Sequence, residues 1–364
     1  MACRSCIEKH YRHRTILSYL LLPATGLFSL ILILRRWAYG KLLSQYRAPV
    51  FIISVGNMIV GGSGKTPFTI FLAEQLQNKG IKVAVSHRGY KSELEKQVTL
   101  ISDREKLLPA ADKAGDEAWL IASRLHSIPV AAGRDRKAAI QMLCRTYPDL
   151  DCIILDDSFQ HLKVRHDYDI IIVSEWLRFG NGFVLPSGIL REPLDAIKKA
   201  DLIVLNRITE TGTPDKKLIE QFQAWRKETI TGGYRADRLY DFCAREVDPG
   251  RVKQDAMLMV AGVGNPSGFE VSCRFLGLKI IGGMPFPDHY DYSNETSRQN
   301  ILKLREKTGA KWIVTTEKDY AKLRKYEEFA GCLLVLGISF EPAEHTDHIS
   351  DLIISKLHSR NQKS

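Results

Sequence analysis

The run Gly61-Gly62-Ser63-Gly64-Lys65-Thr66 follows the apolar stretch Val50–Val55 and opens a helical pattern that extends from Thr66 to Asn78. Strand, glycine-rich loop and helix together form a phosphate-binding unit. Small residues let backbone N–H groups wrap a β-phosphate, the helix offers its positive end, Lys65 reaches the β- and γ-phosphates, and the Thr66 hydroxyl ligates Mg2+. The strict G-x-x-x-x-G-K-T pattern has glycine where this chain has Ile59. A second apolar run, Cys152–Leu155, ends in Asp156-Asp157. A carboxylate leaving a buried strand beside such a loop holds Mg2+ directly or through water. Guanine readers carry N-K-x-D after a strand; Asn206-Arg207-Ile208-Thr209 lacks the aspartate, so ATP is the expected nucleotide.

Around these residues the chain alternates strand-like and helix-like segments. Apolar runs at Lys82–Ser86, Ile128–Ala132, Asp169–Val173 and Leu202–Leu205 alternate with helical patterns at 115–126, 134–146 and 193–200. That order predicts an α/β fold of the P-loop NTPase kind, a mostly parallel sheet with helices on both faces. From 209 to 255 the composition turns polar and charged, which reads as a helix over Lys217–Lys227 with connecting strands or a linker, the expected hinge region. A smaller C-terminal α/β lobe then starts at Met257-Leu258-Met259-Val260, with a helix over 294–307 and strands at 312–315 and Cys332–Leu336. The expected parts are therefore 1–47, 48–208, 209–255 and 256–364.

The length of 364 residues suits two lobes, and 45% hydrophobic with 26% charged residues is the composition of a globular protein. The net charge of +10 is unevenly spread: residues 1–47 carry eight basic side chains against Glu8 alone. A basic face for nucleic acid is not what this map describes, and no nucleic-acid partner is expected. Between Arg14 and Arg35 lie 20 uncharged residues, 15–34, about 30 Å of helix. Basic residues flank both ends, so a spanning helix would strand one cluster on the far side. An N-terminal membrane-associating helix lying in or re-entering one leaflet keeps both clusters on the cytoplasmic face, attracted to anionic lipid, and is preferred to the alternatives, a true span or a buried helix of the globular body. Cys3-x-x-Cys6 lacks the further ligands that a zinc site needs.

With these segments in place the chain resembles the tetraacyldisaccharide 4'-kinase family of lipid A biosynthesis. The matching stretches are SVGNMIVGGSGKTP (54–67), HRGY (87–90), AGDEAWL (114–120), LDDSFQH (155–161), LPSGILREPL (185–194), FPDHYDY (286–292) and TTEKDYAKL (315–323). Ser158 and His87 stand where the family usually has Gly and Ser. The resemblance implies transfer of the ATP γ-phosphoryl group to the 4'-hydroxyl of a tetraacylated glucosamine disaccharide 1-phosphate, at the cytoplasmic face of the inner membrane. It also implies Asp116 as the base for the hydroxyl proton and His289 as its partner, with Lys65 at the phosphates. The two would come from different lobes, so hinge motion near 206–256 is expected. Arg191 is expected at the nucleotide and Glu192 at the metal, unless they form a local salt bridge. Arg88, Tyr90, Gln160 and His161 are candidates for ligand contact. Glu317-Lys318-Asp319 reads as a solvated helix start. The loop by itself also fits a membrane-tethered P-loop ATPase switch acting on a protein partner, although Val60 occupies the position where partitioning-type switches carry a second lysine. A nucleotide-binding adaptor is the third reading, and it would need neither Asp116 nor His289.

Overall fold

The computed structural model describes residues 12–90, 92–207, 216–343 and 347–362. Cys3 and Cys6 lie outside them, as does the start of the expected linker. The described residues form one sheet of 12 strands in the order β10-β9-β11-β12-β8-β7-β6-β1-β5-β2-β4-β3. Its first half comprises β1 (Phe51–Gly56), β2 (Val83–His87), β3 (Thr99–Ser102), β4 (Val130–Ala132), β5 (Cys152–Asp156), β6 (Tyr168–Ser174) and β7 (Leu202–Arg207). The second half comprises β8 (Glu228–Asp241), β9 (Ala256–Ala261), β10 (Lys279–Pro285), β11 (Trp312–Thr316) and β12 (Leu333–Pro342).

Alternation along each strand explains why both faces are covered, since successive side chains point to opposite sides. In β1, Phe51, Ile53 and Val55 join a core with α3 (Lys65–Asn78) and α4 (Asp116–Arg124), while Ile52 joins a separate core with α5 (Arg136–Thr146). The second lobe repeats the device. Met257, Met259 and Ala261 pack with Phe269 and Cys273 of α8 (Pro266–Phe275), and Leu258 and Val260 pack with Ile301 of α9 (Glu295–Thr308).

The stretch 209–255 contains α6 (Lys216–Ala224), the 14-residue strand β8, which pairs parallel to β7 and antiparallel to β12, and the short α7 (Pro249–Val252). The lobes thus share one continuous sheet. Gly232 lies where β8 passes from one partner to the other; a Cβ there would fall 2.2 Å from the Phe340 ring, so the backbones approach closely at that point. The last helix, α11 (Asp347–Asn361), returns to the first lobe, where Ile349, Ile353 and Leu357 join the core of α3, and Arg360 reaches Asp167 and the Ala48 carbonyl.

The apolar run 15–34 is broken in two: α1 (Ile16–Leu20), started by a Thr15/Ser18 capping box, and α2 (Leu22–Lys41), with Pro23 in its first turn. Proline lacks the N–H that a continuous helix would need, but it suits a helix start. No helix among the described residues is long and apolar enough to cross a membrane. One face of α2 is held to the body. Thr25 donates to Ser187 Oγ at 2.7 Å, Phe28 and Leu32 pack against the core under β6 and β7, and Arg36 pairs with the buried Glu192. The other face leaves Leu27, Leu30, Ile31, Ile33, Leu34 and Trp37 exposed.

Candidate active site

The loop between β1 and α3 takes its shape from residues far away in sequence. Ile59, in place of the usual first glycine, is buried with Met58 and Leu190 and bridges to Leu190, so this position serves packing rather than a tight turn. Gly64 caps α3 in the left-handed region (φ 81°), and a Cβ there would lie 1.6 Å from the Tyr234 hydroxyl. Tyr234, from β8, donates to the Gly64 carbonyl. Asn57 Nδ2 donates to Ser63 Oγ at 2.8 Å, and Asn206 Nδ2 donates to the Ser63 carbonyl at 3.1 Å.

Register brings the acidic pair alongside. β5 pairs with β1 so that Asp156 stands opposite Val55, one strand end away from the loop. Asp156 Oδ1 accepts from Thr69 Oγ1 of α3 at 2.9 Å, whereas its buried Oδ2 has no hydrogen-bond partner. Burial pushes this carboxyl above its ordinary range, against the pull of His87. The next residue, Asp157, has φ 50° and accepts from Arg191 Nη1 at 2.8 Å, with Lys65 Nζ 3.6 Å away. Burial would raise the Asp157 carboxyl, but Lys65 and Arg191 outweigh it and hold it low. Arg136, fully buried, donates to the Asp156 carbonyl and to Ser86 Oγ, fixing the turn from below.

Asp156 therefore keeps a buried oxygen without a partner beside α3, the helix whose first turn carries Thr66, and such an oxygen suits a Mg2+ ligand. Among the described residues no group of three or more His, Cys, Asp or Glu side chains is arranged to hold a metal by itself. Glu192 lies apart from this set: its buried carboxylate is taken by Arg36, the local salt bridge that the sequence left open. The same contact removes Arg36 from the basic cluster expected to face lipid. Gln160 Nε2 donates to the Asn57 carbonyl at 2.9 Å, and burial pushes His161 down to about 4.

Opposite the loop sits the start of α4. His87 accepts the Gly89 N–H at Nδ1, which puts its hydrogen on Nε2, 3.5 Å from Glu117 and 3.7 Å from Asp156. Asp116, also buried, accepts from His289 of the second lobe: Nδ1 to Oδ2 is 3.1 Å. Lys322 Nζ lies 3.1 Å from the same oxygen. Burial alone would raise the Asp116 carboxyl, but the His289 hydrogen bond and the Lys322 and Lys318 ammonium groups hold it well below the usual aspartate range. Tyr90 meets the His289 ring edge-on, while Arg88 faces Glu95. The second lobe also reaches the phosphate loop directly, since a Cβ on Gly264 would come within 3.8 Å of Gly62 N.

A model of the family described as tetraacyldisaccharide-1-P 4'-kinase matches residues 17–357. The chain belongs to this family. The tetraacyldisaccharide 4'-kinase of Pelobacter propionicus is 34% identical over 345 residues, covering 93% of each chain. That of Geobacter sulfurreducens is 37% identical over 316 residues, covering 85% of each. A crystal structure of LpxK from Aquifex aeolicus in complex with ATP is 31% identical with a TM-score of 0.73, and covers 94% of this chain and 100% of that one. The protein is accordingly an ATP-dependent lipid A 4'-kinase, a phosphotransferase acting on a lipid disaccharide.

Sequence reasoning missed the partners that this kinase places around Asp116. Lys318 and Lys322 lie on α10 (Glu317–Leu323), which packs against α4. Their spacing of four residues after a strand end was the available signal. A charged string at a helix start reads as solvated until the other lobe is laid over it. Tyr234 carried no signal and Asn206 was read only against the guanine motif, because their role depends on β7 and β8 passing beside the loop.

Proposed function

We propose that Asp116 accepts the proton of the 4'-hydroxyl as that oxygen attacks the γ-phosphorus of ATP. The observation that carries this reading is the 3.1 Å contact between Asp116 and His289, made across the lobes beside the phosphate loop. In the transfer the hydroxyl O–H bond breaks, an O–P bond forms, and the bond from the γ-phosphorus to the bridging oxygen breaks to leave ADP. The Gly61, Gly62, Ser63 and Gly64 backbone, with Lys65, holds the phosphates, and Arg191 keeps Asp157 ionised next to Lys65. Thr66 and Asp156, with Asp157 beside them, are the residues to hold Mg2+, which neutralises charge developing on the phosphates. A carboxylate held this low is a weak base. In a loose phosphoryl transfer the proton moves late, so an ionised, correctly aimed acceptor matters more than a basic one.

For the acceptor to enter, the lobes must part, and β8, which both share, is where that motion is taken up. The exposed apolar face of α2, with α1, lies along the cytoplasmic face of the inner membrane, where the acylated substrate resides. The test is incubation of the full chain in detergent with Mg-ATP and the tetraacyl disaccharide 1-phosphate, with mass spectrometry of the lipid. A product heavier by one phosphoryl group is expected, and Asp116→Ala should lower turnover far more than ATP affinity. Equal losses in both would overturn the base assignment.

A further inference from the structure

The second lobe delivers more than His289 to the site. Lys318 Nζ lies 3.0 Å from Glu117 Oε1, 3.0 Å from Asp288 Oδ1 and 3.2 Å from His289 Nε2. An ammonium group has three hydrogens and no acceptor, so each has one partner here. We propose that Lys318 is a positioning residue for phosphoryl transfer. By donating to Nε2 it keeps the His289 ring in the form that presents Nδ1–H to Asp116, and by donating to Glu117 it ties that ring to the first lobe. This rests on Asp116 being the base.

The geometry makes the assignment directional. A lysine ammonium can only donate, so the Nε2 it faces must carry the lone pair, and the ring hydrogen belongs on Nδ1. That is the nitrogen facing Asp116. The groups around the ring are Asp116 and Glu117 on α4, Asp288 and Tyr290 on its own loop, Tyr90 opposite, and Lys318 and Lys322 on α10. Without Lys318, two carboxylates would face the ring at 3.1 and 3.9 Å, one toward each nitrogen, and a ring hydrogen on either would find an acceptor. Burial would pull the Lys318 ammonium down, but Glu117, Asp288 and Asp116 more than offset it and keep it charged. His289 itself has φ 61°, in the left-handed region, which turns the backbone of its loop at the residue that carries the ring.

The experiment uses the full-length protein in detergent, labelled with 15N-histidine, the His289 ring being identified by its loss in His289→Asn. Wild type should show a protonated Nδ1 and an unprotonated Nε2. Lys318→Met should change that signature and lower kcat roughly 10- to 100-fold, the scale on which partners that orient a histidine ring act, with KM for ATP nearly unchanged. Lys318→Arg should restore part of both. If Lys318→Met fails to fold, Lys318→Leu, likewise without a donor, carries the same comparison. An unchanged ring signature in a variant without the charge overturns the proposal, whether kcat is kept or falls together with stability and ATP binding. Asp116→Asn separates the two readings: an inactive Asp116→Asn with an unaffected Lys318→Met refutes only the positioning role, whereas an active Asp116→Asn refutes the base itself.

Discussion

Arg124→Met tests whether a buried charge pair holds the seam that aligns Asp116 with His289. Arg124, at the last turn of α4, places Nη1 2.5 Å from Glu317 Oε1, with the two side chains 9% and 10% exposed. Its Nη2 donates to Ser339 Oγ at 3.0 Å, and the Ile338 N–H donates to the other Glu317 oxygen at 3.3 Å. Burial pushes the Glu317 carboxyl upward even though Arg124 opposes it, so desolvation outweighs what the guanidinium returns. Removing Arg124 alone strands a buried carboxylate and should cost about 3–5 kcal/mol. Glu317→Gln removes the charge, keeps an oxygen for the Ile338 N–H, and should cost about 1–3 kcal/mol for the lost charged hydrogen bond. In the double variant no unpaired carboxylate remains. Its loss should therefore fall short of the sum by at least about 1.5 kcal/mol, well beyond the roughly 0.5 kcal/mol within which independent sites add. The assay is urea unfolding followed by fluorescence and by circular dichroism, whose coincidence licenses a single free energy. Additive losses would refute the claim that the two charges act as one unit, and with it the account of how this end of the seam is held.

Three further outcomes follow from the same geometry. Gly64→Ala should abolish ATP binding measured by a fluorescent analogue, because its Cβ meets Tyr234 and its φ is 81°; Tyr234→Ala in the same chain should return only part, since the left-handed backbone still costs about 1–2 kcal/mol. Asp116 has a folded-state pKa below its ordinary 3.8, so its stabilising contribution is present above that pH and is lost only as pH falls lower. Asp116→Asn should therefore flatten the acid side of the urea midpoint below about pH 4 while leaving its slope near pH 7 unchanged. Replacing Leu30, Ile33 and Leu34 by serine removes three half-exposed apolar side chains. At about 1 kcal/mol each, sedimentation with anionic vesicles should show roughly 100-fold weaker binding, and an unchanged affinity would sink the interfacial role of α2.

Much of this kinase was legible in one dimension because its chemistry depends on local order. A phosphate loop works only between a strand and a helix, so Gly61 to Thr66 declared both the ligand and the flanking elements. An aspartate pair closing an apolar run is likewise local, since the strand that exposes it is the strand that names it. The motif strings around Asp116 and His289 were equally visible, although their pairing rested on family likeness rather than on spacing.

What lay beyond the sequence were distances set by the sheet. Whether Glu192 meets a metal or Arg36 depends on where α2 docks, and the docking is decided by Thr25, Phe28 and Leu32 fitting the body. Whether 209–255 is a linker depends on whether β7 and β12 offer β8 two free edges, which no property of its polar residues reveals. Lys318 looks solvated in any linear reading because its three partners lie on α4 and on the loop after β10. Periodicity and motif report what a segment does to its neighbours along the chain. The charges around Asp116 are brought together by a sheet that runs unbroken through both lobes, and only the folded chain has that sheet.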